Sequence, residues 1–296
     1  MARSRLSVLT GCQMEGLVSA LQVLLPDWEV EGVHTYRLRN ADGSDIAARL
    51  RAADLVFAMP LDSTFGAFSE AEIRSTCARI QFVPPVIFPA FHPDITYLPK
   101  AGNVHVQSPL TDYNSMIAVC GYMLGFGVEK TLGLYNAYVY QKLGYFDILP
   151  RCRSDLIADF ADHGIDIREA VDRWIAHPDC FMYSSNHPRA HVLADVALAA
   201  CRAAGLPVPE AFPCPDLMPD KLATWVMYPV FPEIADRLGK RGHYFFKALS
   251  FDRMNVHSLP AFVDRSFRAY TEENPASWQL PLRLENSRAH LQRLFA

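Results

Sequence analysis

A cysteine that follows a short apolar run and leads into a helix is placed to act as a nucleophile. The chain has one such cysteine, in Thr10-Gly11-Cys12-Gln13. Gly11 permits a tight turn, and the positive end of the helix dipole favours thiolate over thiol at Cys12. The backbone N–H groups of Gln13 and Met14, with the Gln13 carboxamide as a third donor, are suited to hold an oxyanion. The plainer alternative is a small buried hydrophobe at a strand end, which is the commoner fate of such a cysteine. A cysteine nucleophile needs a base, and histidine is the usual one because it titrates near neutrality. His187, in Tyr183-Ser184-Ser185-Asn186-His187-Pro188, stands between an apparent strand end and a helix that Pro188 suits as a first-turn residue. Asn186 and His187 could equally do no more than cap that helix. His92, in Phe91-His92-Pro93-Asp94, is the second candidate, whereas His191 reads as a helix-surface residue.

Elements that would position these groups are legible in the apolar periodicity. Leu6–Thr10, Trp28–Tyr36 and Leu55–Met59 read as strands, and residues 13–24 and 46–53 as helices between them. Ser69 with Glu72 forms a capping-box pattern for a further helix. Val83–Phe88 is strand-like but interrupted by proline, which places it at an edge. Alternating strands and helices predict an α/β fold with an open, mostly parallel sheet flanked by helices, flavodoxin-like in its N-terminal part. In such sheets ligands sit at the carboxyl ends of the strands, where Cys12 falls. From about residue 112 the pattern becomes helix-rich, with helices expected over 112–125, 129–142, 153–163, 166–177, 188–204 and 258–272. Residues 206–230, rich in proline, read as an irregular crossing loop inside a single domain spanning 1–296.

The composition narrows the class of function. Lys+Arg 28 against Asp+Glu 32 gives a net charge of -4, which excludes a broadly basic surface built for nucleic acid. Seven cysteines without a repeating spacing do not describe a disulfide framework, and no CxxC or Cys/His spacing fits zinc. The basic start, MARSRLSVLTGCQ, lacks the apolar run of a signal peptide, and no stretch reaches the ~20 apolar residues needed to span a bilayer. A reduced, cytoplasmic enzyme without a metal is the expectation.

Four segments then acquire a common meaning. Gly11-Cys12-Gln13, Phe91-His92-Pro93-Asp94, Ser108-Pro109-Leu110 with Asp112-Tyr113-Asn114-Ser115, and Ser185-Asn186-His187-Pro188 follow one another in this order. Together they resemble the WcbI-like family of polysaccharide-biosynthesis enzymes over roughly residues 5–205, the cysteine standing where SGNH esterases place their serine. The resemblance implies a coenzyme A-dependent O-acetyltransferase acting on a capsular sugar, with a sugar, nucleotide-sugar or polysaccharide acceptor and acetyl-CoA as substrate. It further implies Cys12, Gln13 and His187 as the catalytic set, with His92 as the reserve base. Arg189, Lys240, Arg241 and Lys247 are the candidate cations for the coenzyme A phosphates, although a solvated turn is the plainer reading of residues 239–247. The SGNH pattern has an aspartate three residues before its histidine, where this chain has Ser184. Asp94, Asp112 or a backbone carbonyl is left to orient the imidazole. Two other functions fit the same residues. One is a thioesterase or carbohydrate esterase, and the other a non-catalytic sugar-binding subunit in which Tyr97, Tyr113, Tyr138, Tyr140 and Tyr145 stack on sugars.

Overall fold

The apolar runs at the N-terminus become a four-stranded parallel sheet. Its strands are β1 (Ser4–Thr10), β2 (Trp28–His34), β3 (Leu55–Ala58) and β4 (Ile80–Phe82), arranged in the order β2-β1-β3-β4. A computed structural model defines this architecture and describes residues 3–40, 43–102, 104–250 and 254–295. Within it the chain forms two compact units, each assembled from separated stretches.

The first unit comprises residues 1–87, 153–177 and 186–222. β1 pairs with β2 on one side, in a register that sets Val8 against Gly32, and with β3 on the other, Val8 against Phe57. The strand order therefore reverses at β1, the position at which open parallel sheets take ligands beyond the carboxyl ends of their strands. Leu6, Val8 and Leu9 of β1 and every residue of β3 are buried, as expected of parallel strands covered on both faces. One face packs on the helices Gly43–Ala52 and Glu70–Thr76 through Leu9, Val33, Ile46, Leu50, Val56 and Ile73. On the other face lie helix α1 (Met14–Leu24) and the helix Ala190–Ala203. Leu17 and Leu21 of the former and Ala197 and Ala200 of the latter meet Val8 and Phe57 around a void of about 10 Å³. A Cβ added at Gly16 of α1 would lie 2.3 Å from Cδ1 of Leu193, so glycine sets how closely these two helices approach.

The second unit comprises residues 88–152, 178–185 and 223–296 and is mostly helical. Its helices include Met116–Met123, Val128–Leu132, Ala137–Lys142, Pro232–Leu238, Leu259–Thr271 and Leu282–Phe295. An antiparallel ribbon, Phe245–Lys247 with Val256–Ser258, is extended by Met227 through two backbone hydrogen bonds to Lys247.

Several boundaries differ from the sequence expectation. Strand pairing ends at Phe82, because Pro84 and Pro85 supply no donors and residues 83–88 continue as loop. The single helix expected over 129–142 is two, since Gly133 closes Val128–Leu132 and Asn136 caps the next helix by accepting from the Val139 N–H at 3.0 Å. The helix expected from 112 starts at Met116. Asn114 and Ser115 instead pair with Thr96 and Ile95, and the Ser115 hydroxyl accepts from the Ala118 N–H. Ser69 does begin the Glu70–Thr76 helix, but without the side-chain bond of a capping box. The ribbon and the helices Pro232–Leu238 and Leu282–Phe295 were not expected.

Candidate active site

Cys12 stands at the exit of β1, one residue before the N-cap of α1, and is half-buried. β1 is held in place to its end, because the Thr10 carbonyl accepts from the Thr35 N–H and the Leu9 carbonyl from the Met59 N–H. The Cys12 Sγ lies 4.0 Å from the backbone carbonyl oxygen of Asn186. Two residues separated by 174 positions are thereby brought together, and His187 is the next residue along that loop. His187 is itself buried, and it precedes the helix Ala190–Ala203 as the sequence pattern predicts. The first unit thus assembles Cys12 and the His187 loop in one place.

Gln13 has a different role from the one its type predicts. Its Nε2 donates to the carbonyls of Val86 and Asn186, both at 2.9 Å, and its Oε1 accepts from the Val86 N–H at 3.0 Å. Both amide hydrogens are in use and the side chain is buried, so it cannot also offer a hydrogen to an oxyanion. It ties the start of α1 to two loops. The Met14 N–H is also engaged, donating to the Gly11 carbonyl at 3.0 Å. Of the three donors anticipated from the sequence, the Gln13 backbone N–H is the one that makes no hydrogen bond to the described residues.

Helix capping is not the explanation for Asn186-His187. The N-cap of Ala190–Ala203 is Arg189, whose side chain makes no cap bond. The Ala190 N–H instead donates to the Asp220 carboxylate at 3.2 Å. Asp220 comes from the proline-rich stretch that sequence reading treats as a crossing loop, and no motif marks it.

In the second unit, His92 is 2% exposed and packs edge-on against Tyr228. Its Nδ1 has no hydrogen-bond partner among the described residues. Burial, reinforced by His243, pushes its pKa down to about 3, so the ring stays neutral in ordinary buffers. Asp94 is fully buried. Its carboxylate accepts from the hydroxyls of Tyr145 and Tyr228 at 2.8 and 2.7 Å and from the Ile117 N–H at 3.1 Å. Burial raises its pKa, while the hydrogen bonds oppose the rise. The Phe-His-Pro-Asp loop is therefore the hub of a buried tyrosine network. Asp112 lies 3.6 Å from His105. Ser108 closes a turn by donating to the Tyr113 carbonyl and accepting from the Leu110 N–H, and Asn114 donates to the Val106 carbonyl.

The four candidate cations divide between the units. Arg189 is half-buried in the first unit, two residues after His187. Lys240, Arg241 and Lys247 belong to the second. Arg241 pairs with Asp179, and Lys247 donates to the carbonyls of Ala223 and Trp225 at 2.8 and 2.7 Å. Lys240 lies 5.8 Å from the centre of the Phe91 ring, and burial lowers its pKa. The groups of His, Cys, Asp and Glu among the described residues form no cluster able to hold a metal ion, and no helix there is long and apolar enough to cross a membrane. None of the seven cysteines is in a disulfide.

A family profile described as the polysaccharide biosynthesis enzyme WcbI matches residues 5–209. A solved structure of WcbI aligns over 100% of both chains, with a TM-score of 0.66 at 16% identity. That structure is described as the native protein without a disulfide bond between coenzyme A and a cysteine. No curated protein matches the sequence.

Proposed function

Because the chain belongs to the family of the polysaccharide biosynthesis enzyme WcbI, we propose that it is a coenzyme A-dependent O-acetyltransferase acting on a sugar hydroxyl, with Cys12 as nucleophile and His187 as base. The observation that carries this reading is the approach of Cys12 Sγ to the Asn186 carbonyl, which sets the histidine loop beside a thiol at the switch point of the sheet. Coenzyme A enters the proposal through the solved relative, whose description pairs it with a cysteine.

The chemistry runs in two balanced steps. His187 takes the proton from Cys12, and the sulfur attacks the thioester carbonyl of acetyl-CoA. The carbon–sulfur bond to coenzyme A then breaks, and its thiolate leaves with the proton from His187. In the second step His187 removes the proton of the sugar hydroxyl, whose oxygen attacks the acetyl-Cys12 thioester. The acetyl ester forms as the bond from the acetyl carbon to the Cys12 sulfur breaks, and the proton returns through His187 to that sulfur. The Gln13 backbone N–H, at the start of α1, is the donor available to the oxyanion of both steps. Arg189 is the cation nearest in sequence to His187, and guanidinium suits a phosphate of coenzyme A. His92 is unsuited to the base role, since an imidazole with a pKa of about 3 is too weakly basic at neutral pH.

Thermal shift against coenzyme A, acetyl-CoA and desulfo-CoA tests ligand class, because a specific ligand raises the melting temperature by mass action. Mass spectrometry after incubation with acetyl-CoA tests the covalent step and should find one acetyl group on the peptide bearing Cys12. Cys12→Ala should bind coenzyme A and transfer nothing, the thiol acting in the transition state more than in ground-state binding. Full transfer by Cys12→Ala would overturn the nucleophile. Release of free acetate at the same rate with and without sugar acceptors would make the protein a thioesterase.

A further inference from the structure

We propose that Asp220 is a positioning residue for His187, gripping the turn that carries it at the point where it enters the helix. The inference deepens the Cys12–His187 reading of the site and rests on it. Residues 186–190 are held at both ends. At the first end, Gln13 Nε2 donates to the Asn186 carbonyl at 2.9 Å. At the other, the Ala190 N–H donates to the Asp220 carboxylate at 3.2 Å. Only His187, Pro188 and Arg189 lie between, and Pro188 brings a fixed φ and no N–H of its own.

The second grip is needed because Arg189, the N-cap, supplies no side-chain acceptor to the orphan N–H groups of a 14-residue helix. A carboxylate there is favoured both by the hydrogen bond and by the helix dipole. Asp220 is delivered by a segment with no regular structure beyond short 3₁₀ turns, but the residues around it are fixed. Met218 is 8% and Leu222 2% exposed, so the loop is pinned into the first unit on either side of the carboxylate. Asp220 lies beyond residues 5–209, the stretch matched by the family. Loss of the Asp220 bond leaves the Ala190 N–H without this acceptor and loosens the turn where it enters the helix, shifting His187 relative to Cys12.

The test compares Asp220→Ala with Asp220→Asn by two readouts. One is the rate of carbamidomethylation of Cys12 by iodoacetamide at pH 6.5, which reports the thiol's surroundings whatever reaction the enzyme performs. The other is kcat and KM for acetyl-CoA. Asp220→Ala should slow labelling and lower kcat by about 10-fold or more, since a displacement of about 1 Å can cost ~10²-fold, with KM little changed. Asp220→Asn should recover most of both, because its carboxamide oxygen still accepts from the Ala190 N–H. Should Asp220→Ala not fold, Asp220→Glu, which displaces the carboxylate by one methylene, is read in the same way. Labelling in the alanine variant equal to that of the unchanged protein overturns the proposal, as does an asparagine variant no better than alanine. If Asp220→Ala slows labelling and Asp220→Asn restores it, yet no acetyl transfer occurs in the unchanged protein, the grip on the turn stands and the reaction assigned above is the part that fails.

Discussion

At the scale of single residues, the proposed site draws on Cys12, Gln13 and His187, which the sequence marked, and on Asp220, which it did not. His187→Ala should lower acetyl transfer by about 10²–10⁴, the range for a lost general base, with His92→Ala as the control that retains transfer in whatever fraction remains folded. Loss of transfer only in folded His92→Ala would reverse the assignment. Gln13 distinguishes two explanations directly. If it holds the site together, Gln13→Leu leaves the buried Val86 N–H and carbonyl unpaired and removes one donor from the Asn186 carbonyl, at about 1–3 kcal/mol for each buried group left without a partner. Urea denaturation should then show a marked loss of stability along with the loss of activity. Unchanged stability with reduced kcat would restore it to the oxyanion. The sequence showed a polar residue beside Cys12, but not that Val86 and Asn186 claim both of its amide hydrogens, because those partners lie 73 and 173 positions away. For the same reason Asp220 had no signal: its partner is a backbone N–H that any residue could present.

At the scale of elements, what could be read was what periodicity encodes. β1, α1, β2 and β3 appear within a few residues of their expected limits, since the apolar runs of β1 and β3, the alternation of β2 and an amphipathic helix leave strong patterns. Shorter elements escaped. The ribbon Phe245–Lys247 with Val256–Ser258 has three residues on each strand, too few for alternation to register. Glycine and proline decided the other differences, at Gly133 and at Pro84-Pro85. The packing of α1 on Ala190–Ala203 gives a prediction of its own. The Gly16→Ala methyl would collide with Leu193, the mobile end of a buried side chain, so overpacking should cost about 1–3 kcal/mol, offset by about 1 kcal/mol from helix propensity. Adding Leu193→Ala should cancel most of that collision, and a double-mutant cycle by urea denaturation measures the coupling. Strict additivity would mean that the two helices do not meet through this pair.

For the molecule as a whole, acid should reveal the buried imidazole of the second unit. Unfolded, His92 takes up a proton near pH 6.5, but folded it does so only near pH 3, so stability falls as the pH drops between those values. From pH 6.5 to 5 the loss is on the order of 2 kcal/mol, at about 1.4 kcal/mol per unit. Asp94 works the other way: its raised pKa lets the folded state take up a proton before the unfolded one, so its own contribution grows as acid is added. Urea titrations at pH 7.5, 6.5 and 5 on the unchanged protein and on His92→Gln measure the first effect, and equal slopes for the two would exclude it. The first unit's three separate stretches also impose an order on biosynthesis. Cys12 leaves the ribosome 174 residues before Asn186, which at ~5–20 residues per second is a delay of roughly 10–35 s. Throughout that interval the apolar face of α1 waits for the helix Ala190–Ala203 that will cover it. Nascent chains stalled before residue 222 should therefore engage chaperones and leave Cys12 open to oxidants, a vulnerability that ends only when the last stretch of the unit is made.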